Sequence, residues 1–315
     1  MKKSIVVLLV LALLAAVFCA VSAQDEVKSY ADYVDVPWTE HFADLSTGIR
    51  LCYVEIGPED GTPLILLHGV TDGRISWTHV APALADLGYH VYIPEYRGNG
   101  KTDKPEADEN GYTTDMIADD IIAFMDAAGI ENAHVAGHSY GSMIAQMMNL
   151  KAPERMLSTI LIDTTVNALT SEVLEWAEFG DGESYLGVRG YDEEGAMPDD
   201  FLQAWAENSN PDQDFQIANL EHLRQMPYEC WYRLIHACRN FDNSDHIGEI
   251  SGKVLVIWGT GDEIFPAADQ EVLKAGLTGC DVTYVDIEGS HNIHWDGPET
   301  TAAVVKAIDE FIKAL

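Results

Sequence analysis

The sequence predicts an α/β fold with a doubly wound, mostly parallel sheet. Three observations predict it. Short apolar runs recur along the chain and end at glycine or turn residues. Stretches with helical spacing fall between them. Polar residues suited to chemistry gather in the loops that leave the apolar runs. Alternation of this kind buries parallel strands between layers of helices.

Taken in order, "IRLCYVEIG" (49–57) reads as a strand ending in a turn. "PLILLHG" (63–69) is a short apolar run closed by glycine, as a buried strand should be. "THVAPALADLG" (78–88) has helical spacing, and "YHVYIPEYRG" (89–98) is a second buried strand. "TTDMIADDIIAFMDAAGI" (113–130) is a helix that opens near threonine and acids and closes at Gly129. "AHVAG" (133–137) is a strand, and the next helix is expected over 143–156. "LSTILID" (157–163), "KVLVIWG" (253–259) and "DVTYVDI" (281–287) are further strands. An amphipathic helix over 301–315 ends the chain.

The alternation breaks between 166 and 250. That stretch is acidic and rich in aromatics, including Trp176, Phe179, Tyr185, Tyr191, Phe201, Trp205, Phe215, Trp231 and Tyr232. It lies between two buried strands, so it reads as an inserted, mainly helical unit. Its aromatics fill a core of their own, line an apolar pocket beneath a lid, or do both. The predicted organisation is a core of 24–165 and 251–315 with a helical cap over 166–250.

Residues 1–23 stand apart. Lys2 and Lys3 precede an unbroken apolar run, and "VSA" offers small residues for cleavage near Ala23. This reads as a secretory signal peptide, placing the mature chain outside the cytoplasm without stable membrane anchoring. An uncleaved anchor is the competing reading, but the run is on the short side for a span. Bulky Phe18 disfavours lipid attachment at Cys19.

The chain carries 52 acidic and 18 basic residues, a net charge of −34. Nucleic acid is excluded as a partner, because a phosphate backbone would be repelled. The acids are spread along the chain, which suits a solvated, self-repelling surface and also a salty habitat. Cys52, Cys230, Cys238 and Cys280 remain after cleavage and form no C-x-x-C pair. Export permits disulfides, and buried free thiols suit the sequence equally. On one helix Cys230 and Cys238 would stand about 12 Å apart, too far to bridge.

The chemistry centres on Gly137-His138-Ser139-Tyr140-Gly141. A buried strand runs into it and a helix leaves it. That is the setting of a nucleophile elbow, whose serine sits on a strained turn with its oxygen above the sheet. Serine is a weak nucleophile and needs a base. Downstream, "VLVIWGTGDEIFP" places Asp262 after one strand, and "VTYVDIEGSHNIHWDGP" places His291 after the next. The order serine, acid, histidine suits a triad in which His291 takes the proton from Ser139 and Asp262 orients the imidazole. Glu263 and Asp163 are rival acids, and His294 is a rival base. Developing negative charge needs donors, and the backbone N–H groups of Val70, after the His68-Gly69 turn, and of Tyr140 are expected to supply them. The Tyr140 ring is a candidate for the acyl pocket. His68 and His138 read as structural supports. No metal-ligand pattern, G-x-G-x-x-G or P-loop is present, so no metal or cofactor is expected.

Four pieces in order, "HGVTDGRISW", "YRGNGKTDKP", "GHSYGS" and "GTGDEIFP…GSHNIHW", carry a resemblance. Over about 45–315 the chain resembles the α/β-hydrolase fold superfamily, of the type with a helical cap. The resemblance implies a serine hydrolase acting on a small-molecule, ester-like substrate, with a carboxylesterase on small or medium apolar esters as the leading expectation. Lactonases, carbon–carbon bond hydrolases and perhydrolases share the serine triad. Dehalogenases and epoxide hydrolases of this fold use aspartate where this chain has Ser139. A ligand-binding sensor on the same fold is the non-enzymatic alternative. Relatives usually carry aspartate where this chain has Glu95, and serine is common where it has Lys101 and Thr102.

Overall fold

The computed structural model describes residues 38–106, 112–182, 187–190, 197–206 and 210–315. The expected signal peptide at 1–23, Tyr185 and Tyr191 lie outside the described residues.

Eight strands form one sheet: β1 (Thr39–Asp44), β2 (Arg50–Ile56), β3 (Thr62–Leu67), β4 (Tyr89–Pro94), β5 (Ala133–His138), β6 (Met156–Ile162), β7 (Gly252–Gly259) and β8 (Cys280–Ile287). Their order across the sheet is β1-β2-β4-β3-β5-β6-β7-β8. β1 and β2 are antiparallel to their neighbours. From β4 onward every pairing is parallel. Helices α1 (Ala81–Asp86), α2 (Thr114–Ala127) and α3 (Tyr140–Lys151) connect the central strands. α4 (Glu172–Phe179), α5 (Asp199–Ala206), α6 (Gln213–Arg224) and α7 (Tyr228–Arg239) make up the cap between β6 and β7. α8 (Ala267–Gly276) and α9 (Pro298–Lys313) follow.

Strand periodicity divides the core between the two faces of the sheet. Ile65 and Leu67 join one cluster, with α2, α3 and most of the cap. Leu64 and Leu66 join the other, with α1 and α9. Residues i and i+2 of a strand share a face, and here both faces are dry. That is why β3 reads as a continuous apolar run rather than an alternating one. Thr113 caps α2 by accepting the Met116 N–H, and Gly129 just beyond it has φ 71°.

Two local expectations are corrected. α3 begins at Tyr140, directly after Ser139, not at 143. The glycines that make the turn had masked its first residues. β1 was not anticipated: it is an edge strand whose "TEHFAD" buries only Ala43, so it carries almost no hydrophobic pattern. All four cysteines of the described chain are free thiols. Cys230 and Cys238 do share a helix, α7.

The cap aromatics divide by role. Trp231 is buried within it, Phe215 is buried where it meets the core, against His79 and Trp295, and Phe201 packs against both Trp205 and Trp231. Trp176 and Trp205 instead face a cavity over the C-terminal edge of the sheet.

Candidate active site

Ser139 is the N-cap of α3, with φ 51° and ψ −119°. Residues with a side chain rarely adopt this conformation, and here the surrounding backbone enforces it. A Cβ on Gly137 would fall 2.1 Å from the Gly141 carbonyl oxygen. One on Gly141 would fall 2.3 Å from that of Leu67. The glycines flanking Ser139 therefore let the turn close on itself and against β3. The Ser139 N–H donates to the Ile162 carbonyl at 2.9 Å, which ties the turn to β6.

β7 and β8 deliver two more groups to this edge. His291 Nε2 lies 2.8 Å from Ser139 Oγ, and His291 Nδ1 lies 2.8 Å from Asp262 Oδ2. Asp262 Oδ1 accepts the N–H groups of Ile264 at 2.8 Å and Phe265 at 3.0 Å. The carboxylate is thus held from behind by backbone donors while its other oxygen meets the imidazole. All three residues are buried. The structure brings together Ser139, His291 and Asp262, and assigns neither rival base nor rival acid to the same contacts. His294 is fully buried against Trp77 and His138. Asp163, at φ 47° after β6, accepts the Gly259 N–H at 2.7 Å. Burial and nearby Asp262 hold its carboxyl well above the usual carboxylate range.

The N–H groups of Val70 and Tyr140 donate to no group among the described residues. Val70 lines the cavity above Ser139, and Tyr140 opens the helix whose N-terminus favours negative charge there. The Tyr140 ring does not reach the pocket. It is fully buried, packs edge-on to Tyr96 and accepts from the Thr114 hydroxyl. A side chain one residue past the elbow points down into the α3 interface, and only its N–H remains at the site.

His68 and His138 support the site. His68 stacks on Tyr96 at 3.9 Å and donates to the Gly69 carbonyl. His138 Nε2 donates to the His291 carbonyl at 2.8 Å. Burial holds the His138 ring well below the ordinary histidine range, so it is neutral. Glu95 is buried beside Arg74, and a Cβ at Gly100 would overlap its carboxylate, so the departure from the usual aspartate is absorbed locally.

The cavity encloses about 250 Å³. Its wall includes Thr71, Asp72, Trp176, Trp205, Asn219 and Trp295, none singled out from the sequence as pocket residues apart from the aromatic run. No lysine or arginine lines it among the described residues. Asp72 Oδ2 accepts the Gly69 N–H at 3.1 Å. Burial pushes the Asp72 carboxyl up to about 7. The sign of the linkage follows. An unfolded chain ionises Asp72 from 3.8 upward, whereas the fold resists ionisation until about 7. Asp72→Asn, which cannot ionise, is expected to gain stability over the wild type as pH rises from 4 to 7. Urea midpoints measured across that range should coincide at the acid end and separate toward neutrality. A constant difference would contradict the assignment.

Comparison with known proteins gives the class of fold. Residues 62–196 match a family model described as the alpha/beta hydrolase fold. A segment of 107 residues is 41% identical to Epoxide hydrolase A of Mycobacterium tuberculosis, covering 34% of this chain and 32% of that protein. The match thus spans about a third of that relative's length. A hydrolase from Pseudomonas aeruginosa superposes with a TM-score of 0.72 at 21% identity, covering 87% of this chain and 98% of the other. The enol-lactonase of Burkholderia xenovorans gives a TM-score of 0.67 at 19% identity over 87% of this chain and all of that one. The chain has the α/β-hydrolase fold, with helices inserted as a cap between β6 and β7.

Proposed function

We propose that this protein is a serine hydrolase, exported from the cytoplasm, that cleaves small or medium neutral carboxylic esters. The observation that carries the proposal is the continuous relay from Asp262 through His291 to Ser139 Oγ, with both contacts at 2.8 Å. His291 takes the Ser139 proton as Oγ attacks the ester carbonyl. The Val70 and Tyr140 N–H groups bind the oxygen as it becomes anionic. His291 then protonates the leaving alcohol, and a water activated by the same ring releases the acid and restores Ser139. Asp262 stabilises the imidazolium formed twice in each cycle.

The cavity supports the choice of substrate. Its tryptophans suit an apolar acyl or alcohol group, and its size suits a short one. A carboxylate on the substrate would meet Asp72 and, among the described residues, find no lysine or arginine. The N-terminal sequence supports export, which N-terminal sequencing of the mature chain would test.

The similarity to an epoxide hydrolase raises a second reading, and Ser139 weighs against it. An aspartate that opens an epoxide forms an ester, which water can cleave. A serine oxygen would form an ether, and His291 has no route to hydrolyse it. p-Nitrophenyl acetate and butyrate are therefore expected to turn over continuously, while styrene oxide does not. A fluorophosphonate probe should label the wild type and spare Ser139→Ala. Turnover of the epoxide, or no turnover of any ester, would reverse the proposal.

A further inference from the structure

The residues next to the candidate oxyanion donor are held by a turn of their own, in which Asp72 and Gly69 bond each other across Val70, and by the cap. Val70 belongs to a loop that leaves β3 and runs to Gly73 before the chain turns toward α1. Trp205 of α5 donates its indole N–H to Thr71 Oγ1 at 2.7 Å, 134 residues away in sequence. Two residues on, His222 of α6 lies so close to Gly73 that a Cβ there would fall 2.5 Å from the ring. Trp205 is itself steadied edge-on by Trp231 of α7 at 6.0 Å. Thr71 is buried, so this indole is a partner that water cannot simply replace.

We propose that Trp205 is a positioning residue: by fixing Thr71 it holds the adjacent Val70 N–H on the oxyanion, so the cap completes the oxyanion hole. The inference rests on the serine-hydrolase reading of the same site. It makes the cap more than a specificity wall. One oxyanion donor, Tyr140, is built into the sheet–helix elbow, and the other is set from above.

The test is a double-mutant cycle with Trp205→Phe, which keeps the ring and removes the donor, and Thr71→Val, which keeps the shape and removes the acceptor. On p-nitrophenyl butyrate each single variant is expected to lose roughly tenfold in kcat with KM changed by less than about twofold, as befits a transition-state contact. The double variant should fall no further than the weaker single one. Thr71→Ser should recover the rate lost in Thr71→Val. Hydrogen exchange gives a readout that needs no turnover: the peptide spanning Val70 to Gly73 should exchange faster in Trp205→Phe while the peptides of the sheet strands exchange as in the wild type. Wild-type kcat and wild-type exchange in Trp205→Phe, or losses that multiply in the double variant, would overturn the proposal. Absence of ester turnover in the wild type would instead sink the hydrolase reading, and the exchange measurement would still decide whether the cap holds the loop.

Discussion

Ser139→Ala should lower kcat on p-nitrophenyl esters by about 10⁶-fold, the loss seen when a triad nucleophile is removed. Alanine keeps the Cβ, so the turn at φ 51° is as strained as before and the fold should survive. Only Oγ is lost, and with it the 2.8 Å contact to His291. Ser139→Gly separates chemistry from folding more sharply. Glycine adopts this conformation freely, so the variant should be inactive yet more stable by about 1 kcal/mol. Stopped-flow assays and thermal melts on the same preparations check both parts. A glycine variant that melts lower than the wild type would mean that the turn stores no strain.

Asp262→Asn should cost about 10⁴-fold in kcat with little change in KM. The reason lies in how the carboxylate is held. Its Oδ1 accepts two backbone N–H groups, so an asparagine would place its oxygen there and its NH₂ against His291. Facing a donor, Nδ1 must accept, and the ring proton moves to Nε2. His291 would then point a proton at Ser139 and have no lone pair to act as base. Asp163→Asn is the companion control. Burial and nearby Asp262 push its carboxyl toward the neutral form, and it accepts the Gly259 N–H, a role the amide oxygen reproduces. Asparagine also tolerates the φ of 47° found there. Activity within a few-fold of wild type is expected for that variant. A loss at position 163 comparable to that at 262 would move the acid to β6.

Both predictions concern residues that the sequence made legible, and the reason is local. A nucleophile elbow must have a strand before it, a helix after it and glycines beside it, so Ser139 could be recognised within a dozen residues. Asp262 and His291 were found because parallel strands deliver their following loops to one edge, whatever the distance along the chain. What escaped was set by packing at long range. Thr71 and Asp72 are ordinary polar residues until α5 and α6 close over them, and Asn219 is another until α6 turns it to the same cavity. The destination of the Tyr140 ring depends on Thr114 and Tyr96, which no spacing relates to it. β1 was missed because an exposed edge strand needs only one apolar residue facing inward. The cap aromatics were recognised as a group, but their division between core and cavity wall follows from helix orientation.

The hydrogen bond from His138 to the His291 carbonyl carries a wider consequence. The residue immediately before Ser139 grips the backbone of the group 2.8 Å from its oxygen. One rigid ring therefore acts as a caliper between two points 153 residues apart in the chain. Nearly all of the intervening cap lies outside that measured gap. Helices there can be exchanged, lengthened or re-lined while the spacing of the reacting atoms is preserved. For protein engineering, this makes the molecule a chassis with an interchangeable hood: substrate range can be redesigned above the sheet so long as the Trp205–Thr71 contact is kept.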